Sequence, residues 1–360
     1  MGKTVRALLT CLLCLALVLA VQIPVFAAEQ TEAPEAIRCA DFQEAVEVLR
    51  TNMVQRQPVV TISLLRDDDE TTIKKELLNA TFVHTGVPNQ GDYLYWHMRK
   101  CSIKSQVLAL ADGKYELILT YTFTYRSTPE QEAQVDAAVQ TLLDQLNVYS
   151  ASDYEKVCAI YDYICGNVKY DTTGLLLGDP LVYTAYGALI RKSAVCQGYA
   201  SLFYRLALEV GVDARVISGT GRKQAHGWNI VRLGGKYYNL DSTWDATQAQ
   251  NGQPYQYFLQ CDADFTDHSR DEAYKTEQFY KTYPMANTNY DATALPLRGD
   301  LTGDGLVEEG DAVYLLQHVL MPGDFPVNQT VDLDKNSRVD ENDAIYLLQY
   351  ILMPEYFPLP

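Results

Sequence analysis

The spacing of apolar residues predicts a buried helix in the middle of the chain. Apolar side chains recur there at intervals of three and four residues, and Gly211 supplies a stop. The apolar positions of this helix are Tyr199, Leu202, Phe203, Leu206, Ala207 and Val210. Cys196 stands at the start of the predicted helix. Free N–H groups and the positive end of the helix dipole favour a thiolate at that place.

The alternation of apolar and polar residues that follows predicts a β-hairpin. Residues 226–243 read as two strands around Gly234 and Gly235, a pair typical of a two-residue type I′ or II′ turn. Counting outward from this turn places His226 and Asp241 on one face as diagonal neighbours, roughly 7–8 Å apart at the backbone. A register slip of one residue would send Asp241 to the opposite face.

Cys196, His226 and Asp241 have the residue types of a cysteine acyl-transfer site. An imidazole beside a thiol can hold the pair as thiolate and imidazolium, and a carboxylate on the other ring nitrogen fixes the tautomer. The backbone N–H of Cys196 is a natural oxyanion donor. Each residue taken singly is more often structural, since a lone cysteine usually packs as a small apolar side chain. Together they predict acyl transfer through a thioester, to water or to an amine.

Five neighbouring residues have less specific expected roles. Asp245 is expected to end the second strand or to cap a turn. Trp228 and Trp244 are expected to form the wall and core of the site and to take no part in the chemistry. Tyr170 could assist the oxyanion hole or line the cleft. Gln197 follows the cysteine, whereas the oxyanion glutamine of papain precedes it. We therefore expect Gln197 to hold neighbouring residues of the site in place and not to contact the oxyanion.

Three short segments resemble the signature blocks of the transglutaminase-like superfamily. They are Ser-Ala-Val-Cys196-Gln-Gly-Tyr-Ala, His226-Gly-Trp-Asn and Tyr238-Asn-Leu-Asp241-Ser-Thr-Trp-Asp. The resemblance covers roughly residues 145–290 and implies a papain-like α+β fold. It implies that Cys196 is the nucleophile, His226 the base and Asp241 the orienting residue. It also implies a transglutaminase, peptidase or peptide amidase activity that needs no cofactor for catalysis.

A duplicated unit near the C-terminus predicts two calcium loops. The loop over 300–311 and its following helix recur 32 residues later over 332–343. Oxygen donors at EF-hand-like positions, with a backbone carbonyl at position 7, suit Ca²⁺, and no soft ligand favours zinc. The predicted ligands of the two ions are Asp300, Thr302, Asp304, Leu306, Asp311, Asp332, Asp334, Asn336, Arg338 and Asp343.

These paired loops resemble a dockerin of the type I kind over about residues 297–358. That resemblance implies a small all-α calcium-binding module whose partner is a cohesin domain of a scaffold protein. It also implies a secreted bacterial protein of the cellulosome type. Asp replaces the usual EF-hand Glu at position 12, Thr302 is a weaker donor than Asn, and Ser337 occupies a position that prefers Gly for its positive φ. Which cohesin is bound stays open.

The N-terminal residues predict a secretory signal peptide. Lys3 and Arg6 precede an apolar run over 7–21, and small residues at 25 and 27 predict cleavage near Ala27. A retained N-terminal anchor is the alternative. We expect no membrane span after cleavage, and an extracellular location associated with a cellulosome or cell surface. The six cysteines that remain are too sparse for a fold held by disulfides.

Charge limits the classes of partner. The chain has a formal net charge of −17, and residues 297–360 hold twelve acidic and three basic residues, so calcium sites explain much of the acidity. No basic cluster suggests nucleic acid, and no cationic amphipathic helix suggests a membrane surface. The expected partners are a protein or peptide substrate and a cohesin.

The sequence predicts an α+β protein in several parts. These are a signal peptide at 1–27, an N-terminal α+β domain of unknown role at 28–146, a catalytic domain at 147–290, a linker at 291–299 and a dockerin at 300–358. In the N-terminal domain, patterns predict a helix at 41–53 and strands at 59–64 and 114–126. Hydrolysis of amide bonds is the leading functional prediction. Crosslinking of protein glutamine by transamidation, or a non-catalytic module that keeps the fold, are the alternatives.

Overall fold

The computed structural model describes residues 36–69, 71–292, 298–302, 306–327 and 331–359. The predicted signal peptide at 1–27 lies outside the described residues. So do the predicted calcium ligand Asp304 and residues 293–297 of the predicted linker.

A four-stranded sheet with helices packed against it forms the N-terminal part. Its elements are β1 Ile37–Cys39, α1 Phe42–Val54, β2 Val59–Arg66, α2 Ile73–Thr81, α3 Asp92–His97, β3 Met98–Ala109, β4 Tyr115–Tyr125 and α4 Pro129–Leu146. The strand order is β1-β2-β4-β3, with β1 parallel to β2 and the other pairs antiparallel. The predicted helix and both predicted strands are present. Strand β3 and helices α2 to α4 were not predicted.

The middle of the chain combines a second four-stranded sheet with several helices. Its elements are α5 Asp153–Asn167, β5 Lys169–Tyr170, α6 Thr172–Leu177, α7 Ala185–Leu189, β6 Ser193–Ala194, α8 Cys196–Glu209, β7 Ala214–Gly221, β8 Gln224–Leu233, β9 Lys236–Leu240, α9 Ser242–Gln250, β10 His268–Arg270 and α10 Glu277–Thr282. The strand order is β10-β7-β8-β9, antiparallel throughout.

Helix α8 is the most buried helix of this part. It begins at Cys196, and its residues from Gly198 to Leu208 are all buried. Phe203 and Leu206 are completely buried in the main hydrophobic cluster, where each contributes about 1.5–3 kcal/mol through removal of apolar surface from water. Gly211 has a φ of +80° just past the end of the helix, the conformation that a helix stop requires. The core thereby fixes the position of Cys196.

The hairpin of β8 and β9 has the predicted register but a shorter second strand. Leu233 pairs with Lys236 across the turn, as expected. Strand β9 ends at Leu240, however, and does not continue to Thr243. The Asp241 side chain accepts hydrogen bonds from backbone N–H groups two and three residues ahead, so the chain turns into helix α9 instead of extending the ladder.

Two matching helices form the C-terminal part. They are α11 Glu309–Leu320 and α12 Glu341–Leu352. Equivalent residues of the two copies share one small buried cluster, which contains Ala312 and Leu315 of α11, Ala344 and Leu347 of α12, and also Val331 and Leu333. The internal duplication in the sequence is therefore repeated in the packing.

The predicted mixed α+β fold class is confirmed. Within the part of the chain that the structure describes, no helix combines the length and apolar character needed to cross a bilayer. The six described cysteines, Cys39, Cys101, Cys158, Cys165, Cys196 and Cys261, are free thiols.

Candidate active site

The structure brings Cys196, His226 and Asp241 together. Cys196 opens α8, His226 lies on β8, and Asp241 lies at the junction of β9 and α9. Nε2 of His226 lies 2.7 Å from Oδ2 of Asp241, and the imidazole lies close enough to the Cys196 side chain for the thiol to raise the pKa of the imidazole. Because Nε2 faces Asp241 and each ring nitrogen has a single in-plane hydrogen-bonding direction, Nδ1 is the nitrogen left to interact with the thiol.

The electrostatics of these residues favour a charged histidine. Burial by itself would lower the pKa of His226, but hydrogen bonds and charge interactions with Asp241 and Cys196 outweigh it and raise the pKa to about 10. Burial would likewise raise the pKa of Asp241, yet hydrogen bonds from His226 and His268 lower it to about 2. At neutral pH the pair is therefore imidazolium and carboxylate. A cationic imidazole beside a thiol favours the nucleophilic thiolate.

Asp241 is fixed by the backbone as well as by the histidine. Its side chain is completely buried, and its Oδ1 accepts hydrogen bonds from the N–H groups of Thr243 at 2.9 Å and Trp244 at 3.3 Å. These bonds make Asp241 the N-cap of α9, where the helix dipole stabilises its negative charge. The carboxylate that orients His226 therefore also begins a helix.

A fourth residue, His268, reaches the same carboxylate and was missed in the sequence. Its Nε2 lies 3.0 Å from Oδ2 of Asp241. It lies on β10, a strand of three residues that is too short to show any periodicity. Its position depends on pairing with the distant strand β7, which no local pattern reveals. The scarcity of histidine, five in the chain, was the one available signal.

A cavity of about 360 Å³ opens beside His226. Its lining includes Tyr170, Arg222 and Trp244, and the Arg222 guanidinium lies 4.4 Å from the centre of the Trp244 ring. Tyr170, for which the sequence left two roles open, is 46% exposed and lines this cavity. A substrate can therefore approach the imidazole from the solvent side.

The two tryptophans lie where a wall and a core are expected. The Trp244 ring stacks against the His226 ring, with centroids 4.8 Å apart and planes 21° apart. Trp228, on β8, is buried in an adjacent hydrophobic cluster. Neither residue carries a group that acid–base or nucleophilic chemistry requires.

Gln197 has its amide occupied by backbone groups. Its Nε2 donates to the carbonyl oxygens of Trp96 at 2.6 Å and Tyr183 at 3.2 Å. These bonds tie the start of α8 to the N-terminal part and to the segment before α7. This is the supporting role that the sequence favoured.

Asp245 does not end a strand or cap a turn, as the sequence suggested. It lies inside α9, where its buried carboxylate accepts hydrogen bonds from the Tyr161 hydroxyl at 2.7 Å and from the N–H groups of Gln256 at 2.7 Å and Tyr257 at 3.0 Å. Because β9 ends at Leu240, before the predicted position, Asp245 lies in helix α9. Asp245 holds the loop after α9 against α5.

The second predicted calcium loop has its carboxylates close together. Oxygens of Asp332, Asp334 and Asp343 all lie within 4.8 Å of one another. Among the described residues, Oδ1 of Asp332 is one of the buried polar atoms without a hydrogen-bond partner. Ser337 has a φ of +69°, the left-handed conformation expected at this loop position. A hard cation fits this oxygen cluster and would supply the partner that Oδ1 of Asp332 lacks.

The remaining predicted ligands of this loop lie beside the cluster. Asn336 Nδ2 donates to Asp334 Oδ2 at 2.8 Å, and the Arg338 N–H donates to Asn336 Oδ1 at 2.8 Å. The Arg338 carbonyl is the predicted ligand at that residue. The loop side chains are therefore held in place by bonds within the loop.

The first predicted loop has the same closing contact. Oδ1 of buried Asp311 accepts hydrogen bonds from the N–H groups of Leu301 at 2.7 Å and Thr302 at 2.9 Å. Asp343 accepts equivalent bonds from Leu333 and Asp334 in the second loop. Asp300 is buried and Leu306 is half-buried, while Asp304 lies outside the described residues.

The site lies in a stretch of the chain that matches a family model. Residues 140–242 match the model of the transglutaminase-like superfamily, a stretch that contains Cys196, His226 and Asp241. Kyphoscoliosis peptidase of Mus musculus is 30% identical over 125 residues, which are 31% of this chain and 19% of that protein. Its Homo sapiens counterpart is 30% identical over 132 residues, 33% of this chain and 19% of that protein. The chain spans about a fifth of the length of these relatives.

A crystal structure of a TGase aligns with 58% of this chain and 59% of its own length, at 14% identity and a TM-score of 0.30. That score is too low to show a shared overall fold. The match over residues 140–242 shows that this part of the chain is similar to the core domain of the transglutaminase-like superfamily.

Proposed function

We propose that this protein is a cysteine acyl-transfer enzyme that hydrolyses protein or peptide amide bonds. The observation that carries the proposal is the position of His226, whose imidazole hydrogen-bonds to Asp241 and interacts with the Cys196 thiol. A buried carboxylate fixes the imidazole, and the imidazole faces both a thiol and an open cavity. This is the arrangement that nucleophilic catalysis by a cysteine requires.

The residues support a two-step reaction. The Cys196 thiolate attacks the amide carbonyl, and the oxyanion lies near the Cys196 N–H at the start of α8, where the N-cap Val195 makes no side-chain hydrogen bond. The His226 imidazolium gives its proton to the leaving amine, and a thioester remains. Neutral His226 then takes a proton from water, the hydroxyl attacks the thioester, and the acid product and the Cys196 thiolate are released.

Two observations favour water as the acyl acceptor. The cavity beside His226 is open to solvent, as the half-exposed Tyr170 shows, so water reaches the thioester. The relatives that align with about a third of this chain carry the name peptidase. Transamidation to a lysine amine uses the same thioester and is an outcome of the test below.

The test is a peptide library incubated with the enzyme, with and without a primary amine, and read by mass spectrometry. We expect cleaved or deamidated peptides that depend on Cys196 and appear with or without the amine. Cys196→Ala removes the nucleophile, and Cys101→Ala is the matched control at a cysteine outside the site. Amine adducts without hydrolysis would make the enzyme a transglutaminase, and products that persist in Cys196→Ala would refute the cysteine mechanism.

We further propose that the C-terminal part binds two Ca²⁺ ions and docks the enzyme on a cohesin. The clustered carboxylates of Asp332, Asp334 and Asp343 support the metal, and the matching helices α11 and α12 support a paired module. Secretion and cellulosome attachment belong to the same proposal, supported by the N-terminal sequence and the loop pattern. Calcium-dependent capture by purified cohesins of scaffold proteins tests it. Calcium-independent capture would count against the role of Ca²⁺ in docking, and no capture across a cohesin panel would count against docking itself.

A further inference from the structure

We propose that His268 is a positioning residue that holds Asp241 in the orientation His226 needs for acyl transfer. The inference rests on the proposed function of Cys196, His226 and Asp241. Nε2 of His268 lies 3.0 Å from Oδ2 of Asp241, and Nε2 of His226 lies 2.7 Å from the same oxygen. One carboxylate oxygen thus receives a donor from each of two histidines.

The protonation state of His268 suits a donor and not a second acid. Burial lowers the pKa of His268 by more than its hydrogen bond to Asp241 raises it, so the ring is neutral at neutral pH. A neutral imidazole has one N–H, and an ionised carboxylate only accepts, so the hydrogen is on Nε2. Nδ1 is then the bare nitrogen, and among the described residues it is buried without a hydrogen-bond partner.

Aromatic neighbours fix the ring of His268. It stacks on the Phe265 ring, with ring centroids 3.9 Å apart and planes 20° apart. The ring centroids of Trp244 and Trp228 lie 4.4 Å and 4.9 Å from that of His268. The side chain is 1% exposed. A ring held on several sides keeps its N–H directed at Asp241 without losing conformational freedom at each turnover.

The four donors around Asp241 leave its carboxylate no room to rotate. Oδ1 receives two backbone N–H groups from the start of α9, and Oδ2 receives the two imidazoles. Without His268, Oδ2 would keep one donor only. Asp241 would then be free to turn away from His226, and the tautomer and tilt of the catalytic imidazole would be less well defined.

Loss of the His268 donor should affect turnover more than substrate affinity. A hydrogen bond to a charged group is worth roughly a tenfold change in rate when it acts in the transition state. KM should stay unchanged, because His268 does not line the cavity beside His226. When Asp241 loses this donor, more negative charge remains on Oδ2 and stabilises the His226 imidazolium more strongly. The pKa of His226 should therefore rise, and the alkaline limb of the kcat/KM profile should move to higher pH. The ionisable groups that face His268 are Asp241, His226, Asp267 and Tyr257.

The experiment compares three variants on a peptide substrate of the wild-type enzyme. His268→Phe keeps the stacked ring and removes the donor. His268→Gln places an amide N–H at nearly the reach of Nε2. His84→Phe is the matched control, since His84 also hydrogen-bonds to an aspartate, Asp213 at 2.7 Å, outside the site. We expect kcat to fall about tenfold in His268→Phe, to recover in His268→Gln, and to stay at the wild-type value in His84→Phe.

A wild-type kcat and pH profile in His268→Phe would overturn the inference, and so would equal losses in the Phe and Gln variants. If thermal melts show that His268→Phe does not fold, His268→Asn replaces it, because the shorter amide cannot reach Oδ2; equal rates for Asn and Gln would also overturn the inference. The proposed function fails separately, when wild-type turnover persists in Cys196→Ala. If turnover is lost in Cys196→Ala but stays at the wild-type value in His268→Phe, only the positioning role of His268 is refuted.

Discussion

At the scale of single residues, Asp241 links the fold to the chemistry. The same carboxylate caps α9, accepts a hydrogen bond from His226 and accepts a second from His268. The sequence indicated the contact with His226, because counting outward from the two-glycine turn makes His226 and Asp241 diagonal neighbours on one face. It did not indicate the cap of α9. It did not indicate His268, whose approach depends on the folded path of the chain between α9 and β10.

The role of Asp241 predicts the effect of Asp241→Asn. Asparagine is as good an N-cap as aspartate, so the fold should be retained. Its amide N–H would face His226 and favour the wrong tautomer, so kcat should fall by roughly 10³- to 10⁴-fold, as in other triads. Steady-state kinetics together with a thermal melt check this. A near-wild-type kcat with an unchanged melting temperature would remove Asp241 from the site.

The raised pKa of His226 predicts a loss of stability at alkaline pH. Folded His226 keeps its proton to about pH 10, whereas the unfolded chain releases it near 6.5. The contribution to the free energy of unfolding is therefore fully present below pH 6.5 and is lost as pH rises through about 10. We expect the urea midpoint of the wild type to fall between pH 7 and 10 relative to His226→Gln. Parallel midpoints across that range would show that His226 is not held as a cation.

At the scale of elements, the sequence predicted those whose signals are local. Helix α8 followed from its apolar spacing, and the β8–β9 register followed from Gly234 and Gly235, whose φ angles of +59° and +66° fit the predicted turn. The predicted end of β9 lies three residues beyond the observed end at Leu240, because the Asp241 side chain caps α9 and the strand hydrogen bonds stop there. Strand β10 could not be predicted, since three residues at a sheet edge depend on a partner strand far along the chain.

The hairpin turn predicts a measurable effect of Gly234→Val. A β-branched residue at positive φ is strained, at a cost of about 1–2 kcal/mol in the free energy of unfolding. Because the turn sets the register that places His226 near Asp241, kcat should fall as well. Urea unfolding and kinetics measure both effects, with Gly86→Val as a control at a positive-φ glycine away from the site. We expect Gly234→Val and Gly86→Val both to lose stability, and only Gly234→Val to lose kcat. Unchanged stability and kcat in Gly234→Val would contradict this prediction.

At the scale of the whole molecule, the sequence describes three parts joined in one chain. The transglutaminase-like core carries the candidate chemistry, and the duplicated C-terminal helices carry the predicted calcium loops. The N-terminal part contributes contacts such as that of Trp96, in α3, with Gln197 at the start of α8. Such contacts join residues about a hundred positions apart, which is why no pattern along the chain foretold them.

Asp343 is not among the residues that line the cavity beside His226, so calcium binding by Asp343 and catalysis are predicted to be independent. Titration of the full chain with Ca²⁺ in a calorimeter should show two ions, and Asp343→Ala should remove one of them. Cys196-dependent turnover should stay at the wild-type rate, because Asp343 lies in the C-terminal loop. Asp324→Ala, at an acidic residue outside both loops, is the control. Two ions retained in Asp343→Ala would exclude that carboxylate as a ligand.

The central claim, a thiolate sustained by a cationic imidazole, is tested most directly by the rate of Cys196 alkylation from pH 4 to 9. We predict fast alkylation that persists below pH 7 in the wild type and is lost in His226→Ala. A rate that follows an ordinary thiol titration near pH 8.5, and is unchanged in His226→Ala, would contradict the claim.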